Sequence, residues 1–298
     1  MGRVTERRRV LRIRDGAVST RPDTLVAEEP LEIRLNGKPL AITMRTPGDD
    51  FALAAGFLVS EGVLGRTEDV ANIVYCAGAE PGAPPAVAGG GSNTYNVVDV
   101  RLAPGVPVPD ITLERNVYTT SSCGLCGKAG LDAVRTTARW PVSDVPPVRV
   151  APGLLAALPG RLRAAQRVFD RTGGLHAAGL FSPEGELLDL REDVGRHNAV
   201  DKVVGRALRS GELPLSRSIL LVSGRASFEL VQKAVMAGVP VLAAVSAPSS
   251  LAVDLAAETG LTLVGFLRGD SMNVYAGEQR LDLRARSAAE APEAEVAR

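Results

Sequence analysis

The feature that most constrains the fold is a regular alternation of short apolar strands and helices between residues 218 and 268. The apolar segments are SILLVS, VPVLAAVS and LTLVGFL, and the segments between them are ASFELVQKAVMAG and LAVDLAAETG. In the first of these intervening segments, Phe228, Val231 and Val235 recur at helical spacing. Strands that are apolar throughout and alternate with helices form parallel sheets buried on both faces. We therefore predict an α/β fold with a mixed or parallel sheet core and helices on both faces.

Small residues follow two of these strands, at Ser223 and Gly224 and again at residues 247–250. Loops after parallel strands gather at the carboxyl edge of the sheet, where open α/β folds bind ligands. Helix N-termini that begin there favour phosphate, and Arg225 and Arg268 would add planar, fork-shaped donors. The pattern predicts an anionic, nucleotide-like ligand at this edge. The alternative is that glycine and serine serve only the turns.

The N-terminal half has the pattern of a smaller, β-rich α+β lobe. The segment LEIRLNGKPLAITMRT alternates around NGK, which predicts a hairpin. The segment TPGDDFALAAGFLVSEG predicts a helix with Thr46 as N-cap, Pro47 at the first helical position and Asp49 in the first turn. The basic segment RVTERRRVLRIR near the start predicts a charged, solvated strand.

These patterns divide the chain into two lobes and a tail. Residues 1–150 form the predicted N-terminal lobe, which ends in a cysteine-bearing loop and a helix. Residues 151–283 form the α/β lobe that binds the ligand, and the Pro-rich segment WPVSDVPPVRVAPG connects the two. The Ala- and Glu-rich residues 284–298 are predicted to be a disordered tail.

Composition argues against several classes of protein. Lys+Arg and Asp+Glu are equal at 34 each, so no extended basic field for nucleic acid is expected. The N-terminus lacks the apolar region of a signal peptide, and Pro240 and Pro248 interrupt the longest uncharged run. Three cysteines in 298 residues do not make a disulfide framework. We expect a cytoplasmic protein without a membrane span, with its thiols largely reduced.

Two of the three cysteines, Cys123 and Cys126, lie in the segment TTSSCGLCGKAG. A structural zinc site usually requires four cysteine or histidine ligands. The third cysteine, Cys76, lies at the predicted end of a buried strand and is interpreted as buried and inert. Only two histidines, His176 and His197, remain as further ligands.

Zinc deaminases combine an H-x-E motif with a P-C-x-x-C motif. Here the segment LHAAG places Ala178 where the glutamate would be, and Ser122 stands where the proline would be. The two motifs also occur in reversed order. The sequence therefore argues against deaminase chemistry, and no metal site is predicted.

Thiol chemistry remains for the cysteine pair. The segment KAGLDAVRTTAR predicts a helix, so both cysteines would lie before or within its first turn. A helix N-terminus and the charge of Lys128 favour the thiolate over the thiol. Such a thiolate can exchange disulfides or hold a persulfide. Spacing alone leaves a structural role, disulfide exchange and sulfur carriage open.

Several long segments identify a family. They are EEPLEIRLNG, MRTPGDDFALAAGFLVSEG, SSCGLCGK, TGGLHAAGLF, REDVGRHNAVDKVVG, SGRASFELVQKAVMAGVPVLAAVSAPSSLAV and GLTLVGFLRGDSMNVY, spread from about residue 28 to residue 276. Through them the chain resembles the formate dehydrogenase accessory sulfurtransferase family (FdhD/NarQ). The resemblance implies a fold similar to that of cytidine deaminases without their zinc site.

The resemblance also implies a function. It implies a cytoplasmic, homodimeric sulfur carrier that takes sulfur from a cysteine desulfurase through a cysteine persulfide. The sulfur would pass to the molybdenum cofactor, in its bis-molybdopterin guanine dinucleotide form, before that cofactor enters formate dehydrogenase. A second function class stays open, a non-catalytic chaperone of the cofactor with dispensable thiols. A disulfide oxidoreductase is a third.

The family motifs imply site residues in this sequence. The persulfide motif corresponds to Cys123 and Cys126, and we assign the persulfide to Cys123 because the N-terminal thiol of such a pair is usually the more exposed and acidic. The cofactor loop of the family corresponds to Phe266, Leu267, Arg268, Gly269, Asp270 and Ser271. We extend that site to Ser223, Gly224 and Arg225 from the strand-end argument.

The segment REDVGRHNAVDK predicts a polar helix face. His197 and Asp201 are four residues apart, as are Asn198 and Lys202, and Asp193 is predicted to cap the helix. One interpretation is a face of satisfied polar pairs. The other is that His197 or the preceding Arg196 lines the cofactor cleft. For His176, on a Gly-rich strand entrance, a site role is likewise left open.

Overall fold

The structure, a computed structural model, describes residues 4–76, 95–108, 134, 137–144 and 148–283. Three sheets, six α-helices and three short 3-10 helices have their bounds within these residues. The strands are β1 (Thr5–Arg14), β2 (Ala17–Val26), β3 (Glu29–Leu35), β4 (Lys38–Arg45), β5 (Val70–Tyr75), β6 (Val97–Leu102), β7 (His176–Phe181), β8 (Leu187–Asp193), β9 (Ile219–Val222), β10 (Val241–Ala244), β11 (Thr262–Arg268) and β12 (Ser271–Ala276). The helices are α1 (Asp50–Ser60), α2 (Pro152–Ala165), α3 (Arg167–Thr172), α4 (Arg196–Arg209), α5 (Phe228–Met236) and α6 (Ser250–Thr259).

The alternating segments of the C-terminal half form the central six-stranded sheet, in the order β12-β11-β10-β9-β7-β8. Strands β9, β10 and β11 are parallel, with Val241 beside both Ile219 and Thr262. Strands β7 and β8 add to one side and β12 to the other, and each is antiparallel to its neighbours. The predicted mixed α/β fold is confirmed.

Alternate residues of the central strands divide between two hydrophobic cores. Leu220 and Val222 of β9 face a large core that also contains the apolar faces of α1, α4, α5 and α6. Ile219 and Leu221 face a second core, which α2 closes with Leu155, Leu158 and Leu162. Because side chains alternate across a strand, an apolar run with helices on both faces satisfies both cores.

The N-terminal residues form the other two sheets. Strands β4, β3, β6 and β5 form a four-stranded sheet in that order. The predicted hairpin is confirmed as β3 and β4, joined by Asn36 and Gly37 with φ of 50° and 80°. Both residues adopt the left-handed conformation that a two-residue turn between twisted strands requires. Strands β1 and β2 form a separate, largely exposed hairpin, which confirms the charged strand expected near the start.

The predicted start of α1 is wrong by several residues. The helix begins at Asp50, and its N-cap is Asp49, in a left-handed conformation without a side-chain cap. The predicted N-cap, Thr46, is instead buried, and Pro47 precedes the helix. The Thr46 N–H donates to Asp193 Oδ2 (3.1 Å), and its hydroxyl accepts from the Val194 N–H (3.1 Å). A buried threonine that anchors the chain to a distant strand end cannot also cap the helix.

Helices α1 and α4 cross in direct backbone contact. A Cβ added to Gly56 would lie 1.9 Å from the Asp201 carbonyl oxygen, and one added to Gly205 would lie 1.8 Å from that of Ala52. Glycine is required at both positions because the backbones themselves touch. Through this crossing, the four-stranded and six-stranded sheets share one hydrophobic core. The predicted lobe boundary between residues 150 and 151 stays a prediction. The predicted tail at 284–298 lies outside the described residues.

Candidate functional site at the carboxyl edge of the central sheet

Three helices begin at one edge of the central sheet. Helices α5 and α6 follow the carboxyl ends of the parallel strands β9 and β10. Helix α4 follows β8, whose last residue, Asp193, pairs with His176 at the start of β7. Because β7 is antiparallel to β9, with Ala178 beside Val222, the start of β7 also lies at this edge. Three positive helix ends therefore face the same region.

The loops after β9 and β10 are bonded to each other. The Ala226 N–H donates to the Ala247 carbonyl (3.2 Å), and the Ser249 N–H donates to the Ala226 carbonyl (3.0 Å). Ser249 is the N-cap of α6, and its hydroxyl accepts from the Ala252 N–H (3.3 Å). The two small-residue loops that the sequence singles out thus form one continuous surface.

The third predicted segment lies against these loops. The Phe266 N–H donates to the Ser246 carbonyl (3.2 Å), and Arg268 Nε donates to the Val245 carbonyl (3.4 Å). Gly265 packs so closely on Pro248 that an added Cβ would lie 2.9 Å from its ring. The structure therefore brings residues 223–225, 247–250 and 266–271 to one edge, as the strand-end argument requires. Their role in binding stays a prediction.

The description of residues 266–271 as a loop is corrected by the structure. Strand β11 continues to Arg268 and β12 begins at Ser271, so only Gly269 and Asp270 form the turn. Gly269 has a φ of 53°, which permits so tight a reversal. Phe266 also has a positive φ, 52°, within an irregular stretch of β11, and the residue is 38% exposed.

Of the predicted site residues after β9, Ser223 makes hydrogen bonds within the part of the protein that the structure describes and Arg225 does not. The Ser223 hydroxyl accepts from the Ala177 N–H (2.9 Å), and the Ser223 N–H donates to the Ala177 carbonyl (3.0 Å). Ser223 therefore extends the sheet. Arg225 is exposed, and within the described residues it makes no hydrogen bond or ion pair. Its charge is available to a ligand.

His176 lies beside Gly224. An added Cβ on Gly224 would lie 3.4 Å from His176 Nδ1 and 3.8 Å from the Cδ of Arg196. Burial lowers the pKa of His176 below its ordinary value, and the charges of Arg196 and His197 lower it further, against a smaller opposite effect of Asp193. The imidazole is consequently neutral near pH 7 and keeps one N–H donor and one acceptor.

His197 is held by the first turn of α5. Its Nε2 lies 2.9 Å from Glu229 Oε2 and 3.2 Å from Ser227 Oγ. It therefore contacts α5, whereas Asp201 pairs with Lys233 (2.8 Å) and accepts from the Ser60 hydroxyl (3.0 Å). The suggested pair of His197 with Asp201 is not formed as a hydrogen bond.

A buried polar cluster supports this edge, and its arrangement was not predicted from the sequence. Asp193 is fully buried, and its carboxylate pairs with Lys202 Nζ (2.7 Å) and accepts from the Asn198 side chain (2.9 Å). Asn198 and Lys202 thus share a face, as expected. The N-cap of α4 is Gly195, so the prediction of Asp193 as that cap is wrong. The spacing D-x-x-x-x-N-x-x-x-K of Asp193, Asn198 and Lys202 is only a weak sequence signal of this cluster. Its fourth member, Thr46, is 147 residues away from Asp193 in the sequence.

The cysteine pair, Cys123 and Cys126, lies outside the described residues, as do Lys128 and most of the helix predicted after it. The described residues of that segment agree with the prediction, because Val134 and Thr137 are helical and the Ala138 N–H donates to the Val134 carbonyl (2.9 Å).

Cys76 follows β5, which is an edge strand of the four-stranded sheet and not a buried one. Cys76 is half-buried, and burial raises the pKa of its thiol. A thiol held protonated is a poor nucleophile, which fits the interpretation of Cys76 as inert.

The described part of the chain contains neither a candidate membrane span nor a candidate metal site. None of its helices is long and apolar enough to cross a membrane. No group of three or more His, Cys, Asp or Glu side chains in residues 4–76, 95–108, 134, 137–144 and 148–283 is arranged to hold a metal ion. Because the cysteine pair lies outside these ranges, the absence of a metal site stays a prediction.

Comparisons with known proteins agree on one family. A family model described as the FdhD/NarQ family matches residues 26–282. A protein named "Sulfur carrier protein FdhD" from Streptomyces avermitilis is 82% identical, over 97% of this chain and 99% of that protein. A protein of the same name from Mycobacterium tuberculosis is 58% identical over 94% of this chain and all of that protein.

A solved structure has the same fold. It is that of a candidate formate dehydrogenase accessory protein from Desulfotalea psychrophila, with a TM-score of 0.70, which covers 94% of this chain and all of the other. At 22% identity, this similarity bears on the fold alone.

Proposed function

The chain belongs to the FdhD/NarQ family, and we propose that it is a sulfur carrier required for formate dehydrogenase activity. The observation that carries the proposal is the 82% identity, over nearly the full length of both chains, to a protein named as a sulfur carrier. The carboxyl edge of the central sheet, with three helix N-termini and exposed arginines, supports a nucleotide-bearing substrate.

The proposed sulfur step is a thiol–persulfide exchange at Cys123. The Cys123 thiolate attacks the outer sulfur of a persulfide on a cysteine desulfurase. A new sulfur–sulfur bond forms on Cys123, the sulfur–sulfur bond of the donor breaks, and the donor cysteine leaves as a thiolate. The step is balanced without an external oxidant or reductant. Cys126, three residues on, is proposed to assist this transfer or to act in the next one.

The proposed acceptor is the molybdenum cofactor in its bis-molybdopterin guanine dinucleotide form, which is a substrate here and not a resident group. We propose that its guanine nucleotide binds at the carboxyl edge. The proposed binding residues are Ser223, Gly224, Arg225, Phe266, Leu267, Arg268, Gly269, Asp270 and Ser271. Arginine suits this task because its fork of N–H groups matches phosphate oxygens.

Further parts of the proposal concern partners and location. We propose that the donor is a cysteine desulfurase, that the receiving enzyme is formate dehydrogenase, and that the carrier acts in the cytoplasm as a homodimer. Nucleic acid is not among the proposed partners, since the acidic and basic residues balance at 34 each.

Maturation of formate dehydrogenase in a host that lacks its own family member tests the proposal. We expect the wild-type chain to restore formate oxidation and Cys123→Ala to restore none. The matched control is Cys76→Ser, which should restore full activity because that thiol is half-buried and protonated. Full activity with both Cys123→Ala and Cys126→Ala would instead favour a cofactor chaperone with dispensable thiols.

A further inference from the structure

Arg196 is a charged side chain without a protein partner in the described part of the chain. It is the first residue of α4, a helix of 14 residues, and its buried Nε has no hydrogen-bond partner. Three other arginines have an unpartnered nitrogen, but each makes other bonds: Arg34 with Glu32, Arg206 with Glu212 and Arg280 with backbone carbonyls. Within residues 4–76, 95–108, 134, 137–144 and 148–283, Arg196 makes neither an ion pair nor a hydrogen bond.

The neighbouring polar residues of α4 are all engaged. His197 contacts Glu229, Asn198 bonds to Asp193, and Lys202 pairs with Asp193. The two carboxylates that contact this end of the helix, Asp193 and Glu229, therefore already have partners. The charge of Arg196 adds to the positive end of α4 and is not compensated by either of them.

Arg196 and His176 both lie against Gly224, a residue without a side chain. The Cδ of Arg196 and the ring of His176 lie beside the position where a side chain would stand if the residue were not glycine. Gly224 belongs to the loop after β9, and Arg225 next to it is exposed. An unpaired guanidinium, a helix N-terminus and an imidazole thus meet at the same sheet edge as residues 223–225 and 266–271.

We propose that Arg196 and His176 bind a phosphate of a pyrophosphate-bearing nucleotide at this edge. This inference rests on the proposed function, and it assigns the pyrophosphate of the guanine dinucleotide to the space beside Gly224. Arg196 supplies charge-assisted donors, and the positive end of the α4 dipole favours an anion at this position.

The state of His176 fits this role. Burial and the adjacent cations lower its pKa, so the ring is neutral in the empty site. A neutral ring adds no buried charge to the site in the absence of a ligand. When a phosphate binds, the ring can donate one N–H to a phosphate oxygen. A bound anion would compensate Arg196 and favour the protonated imidazole, so ligand binding should raise the pKa of His176.

Calorimetry with GDP, inorganic pyrophosphate and guanosine tests the assignment of Arg196. We expect Arg196→Gln to weaken GDP and pyrophosphate about tenfold or more, because a charge-assisted contact is lost. Arg196→Lys should recover part of this affinity, since lysine keeps the charge without the fork. Guanosine affinity should be unchanged in both variants because guanosine carries no phosphate.

The matched control is Arg217→Gln. Arg217 is an exposed arginine that lies just before β9, at the opposite end of that strand from Gly224. It should leave all three affinities unchanged. The assignment is overturned if Arg196→Gln binds pyrophosphate and GDP as tightly as the wild type, or if the wild type binds neither.

Proton NMR tests the role of His176 by its titration in the wild-type protein. The chain has only two histidines, so two ring signals are expected, and His176→Asn assigns them. We expect the pKa of His176 to rise on addition of pyrophosphate, and to rise less in Arg196→Gln. An unchanged titration in the wild type would remove His176 from the site.

A failure of the Arg196 proposal can be distinguished from a failure of the proposed sulfur carriage. Persulfide formation on Cys123 is measured by mass spectrometry in the absence of nucleotide. Failure of that reaction with pyrophosphate binding intact would refute the sulfur step alone. A normal persulfide together with Arg196-independent binding would refute the inference about Arg196 and leave the sulfur step standing.

Discussion

Arg268 occupies an exposed position at the end of β11, where its Nε reaches the Val245 carbonyl of the neighbouring strand end. This single contact leaves the rest of the guanidinium free to bind a phosphate. We expect Arg268→Ala to weaken GDP binding about tenfold or more, because charge-assisted hydrogen bonds are each worth roughly 1.5–3 kcal/mol. Arg268→Lys should recover only part of the loss.

Calorimetry of GDP against the three proteins gives the answer. Persulfide formation on Cys123 is the internal control, since it depends on a thiol and a donor and should be equal in all of them. Equal GDP affinities in wild type, Arg268→Ala and Arg268→Lys would exclude Arg268 from the site.

His176 should make the folding stability of the ligand-free protein fall at acidic pH. Its pKa in the folded chain lies below the usual value of 6.5, mainly through burial and then through Arg196 and His197, against a smaller contribution of Asp193. The unfolded chain therefore binds more protons in this range, and folding stability falls as the pH drops below 6.5 towards the folded-state pKa. This contribution is absent from His176→Asn.

Urea unfolding of wild type and His176→Asn in phosphate-free buffer measures this effect. We expect the stability of the wild type relative to the variant to decline between about pH 7.5 and about pH 5.5. Added pyrophosphate should reduce the decline. A stability difference that does not change with pH would show that His176 titrates as it does in the unfolded chain.

The positions of the loop residues could be predicted from the sequence, whereas those of the buried cluster around Asp193 could not. Ser223, Gly224 and Arg268 could be placed together because strand ends of a parallel sheet meet at one edge. Thr46 could not be predicted, because its partner Asp193 is 147 residues away in the chain. The sequence also could not decide whether Arg196 lines the ligand site, because only the structure shows that its neighbours are paired and that its own Nε is not.

The crossing of α1 and α4 is the contact between elements that tolerates least change. In Gly205→Ala the new Cβ would lie 1.8 Å from the Ala52 carbonyl and 2.6 Å from the Gly56 nitrogen. Both are backbone atoms, so the helices must move apart and open the core around them. We expect a loss of about 3 kcal/mol or more, as for severe overpacking, measured by urea unfolding.

The matched control is Gly160→Ala in α2. Gly160 is also a helical glycine, but it is exposed and an added Cβ would meet nothing within 4 Å. There alanine should stabilise the chain by roughly 0.5–1 kcal/mol, because it has the higher helix propensity. If Gly205→Ala were as stable as Gly160→Ala, the close backbone contact would be contradicted.

Elements with strong local signals were predicted, and those set by distant contacts were not. Asn36 and Gly37 specify the hairpin turn by their own conformational preferences. The strands β9 to β11 follow from continuous apolar runs. Thr46 does not cap α1 because its tertiary contact overrides its capping preference. The sequence predicts a loop at residues 266–271 because half of the residues of β12 are exposed, so this strand lacks a continuous apolar pattern.

At the scale of the whole molecule, two kinds of chemistry are proposed for one chain. Nucleotide binding belongs to the carboxyl edge of the central sheet, where the loops after β9 and β10 and the end of β11 meet. Sulfur carriage belongs to Cys123 and Cys126, outside the described residues. The fold class followed from the alternation of strands and helices, whereas the sulfur chemistry followed from the family resemblance, because a C-x-x-C motif alone also fits disulfide exchange.

Mass spectrometry of the intact chain after incubation with a cysteine desulfurase and cysteine tests the central claim most directly. We predict a gain of about 32 Da, one sulfur atom, located on Cys123 and removed by thiol reductant. The gain should persist in Cys76→Ser and in Arg196→Gln, and it should be absent from Cys123→Ala. An unmodified wild-type chain, or an equal gain in Cys123→Ala, would contradict the account of this protein as a sulfur carrier that acts through Cys123.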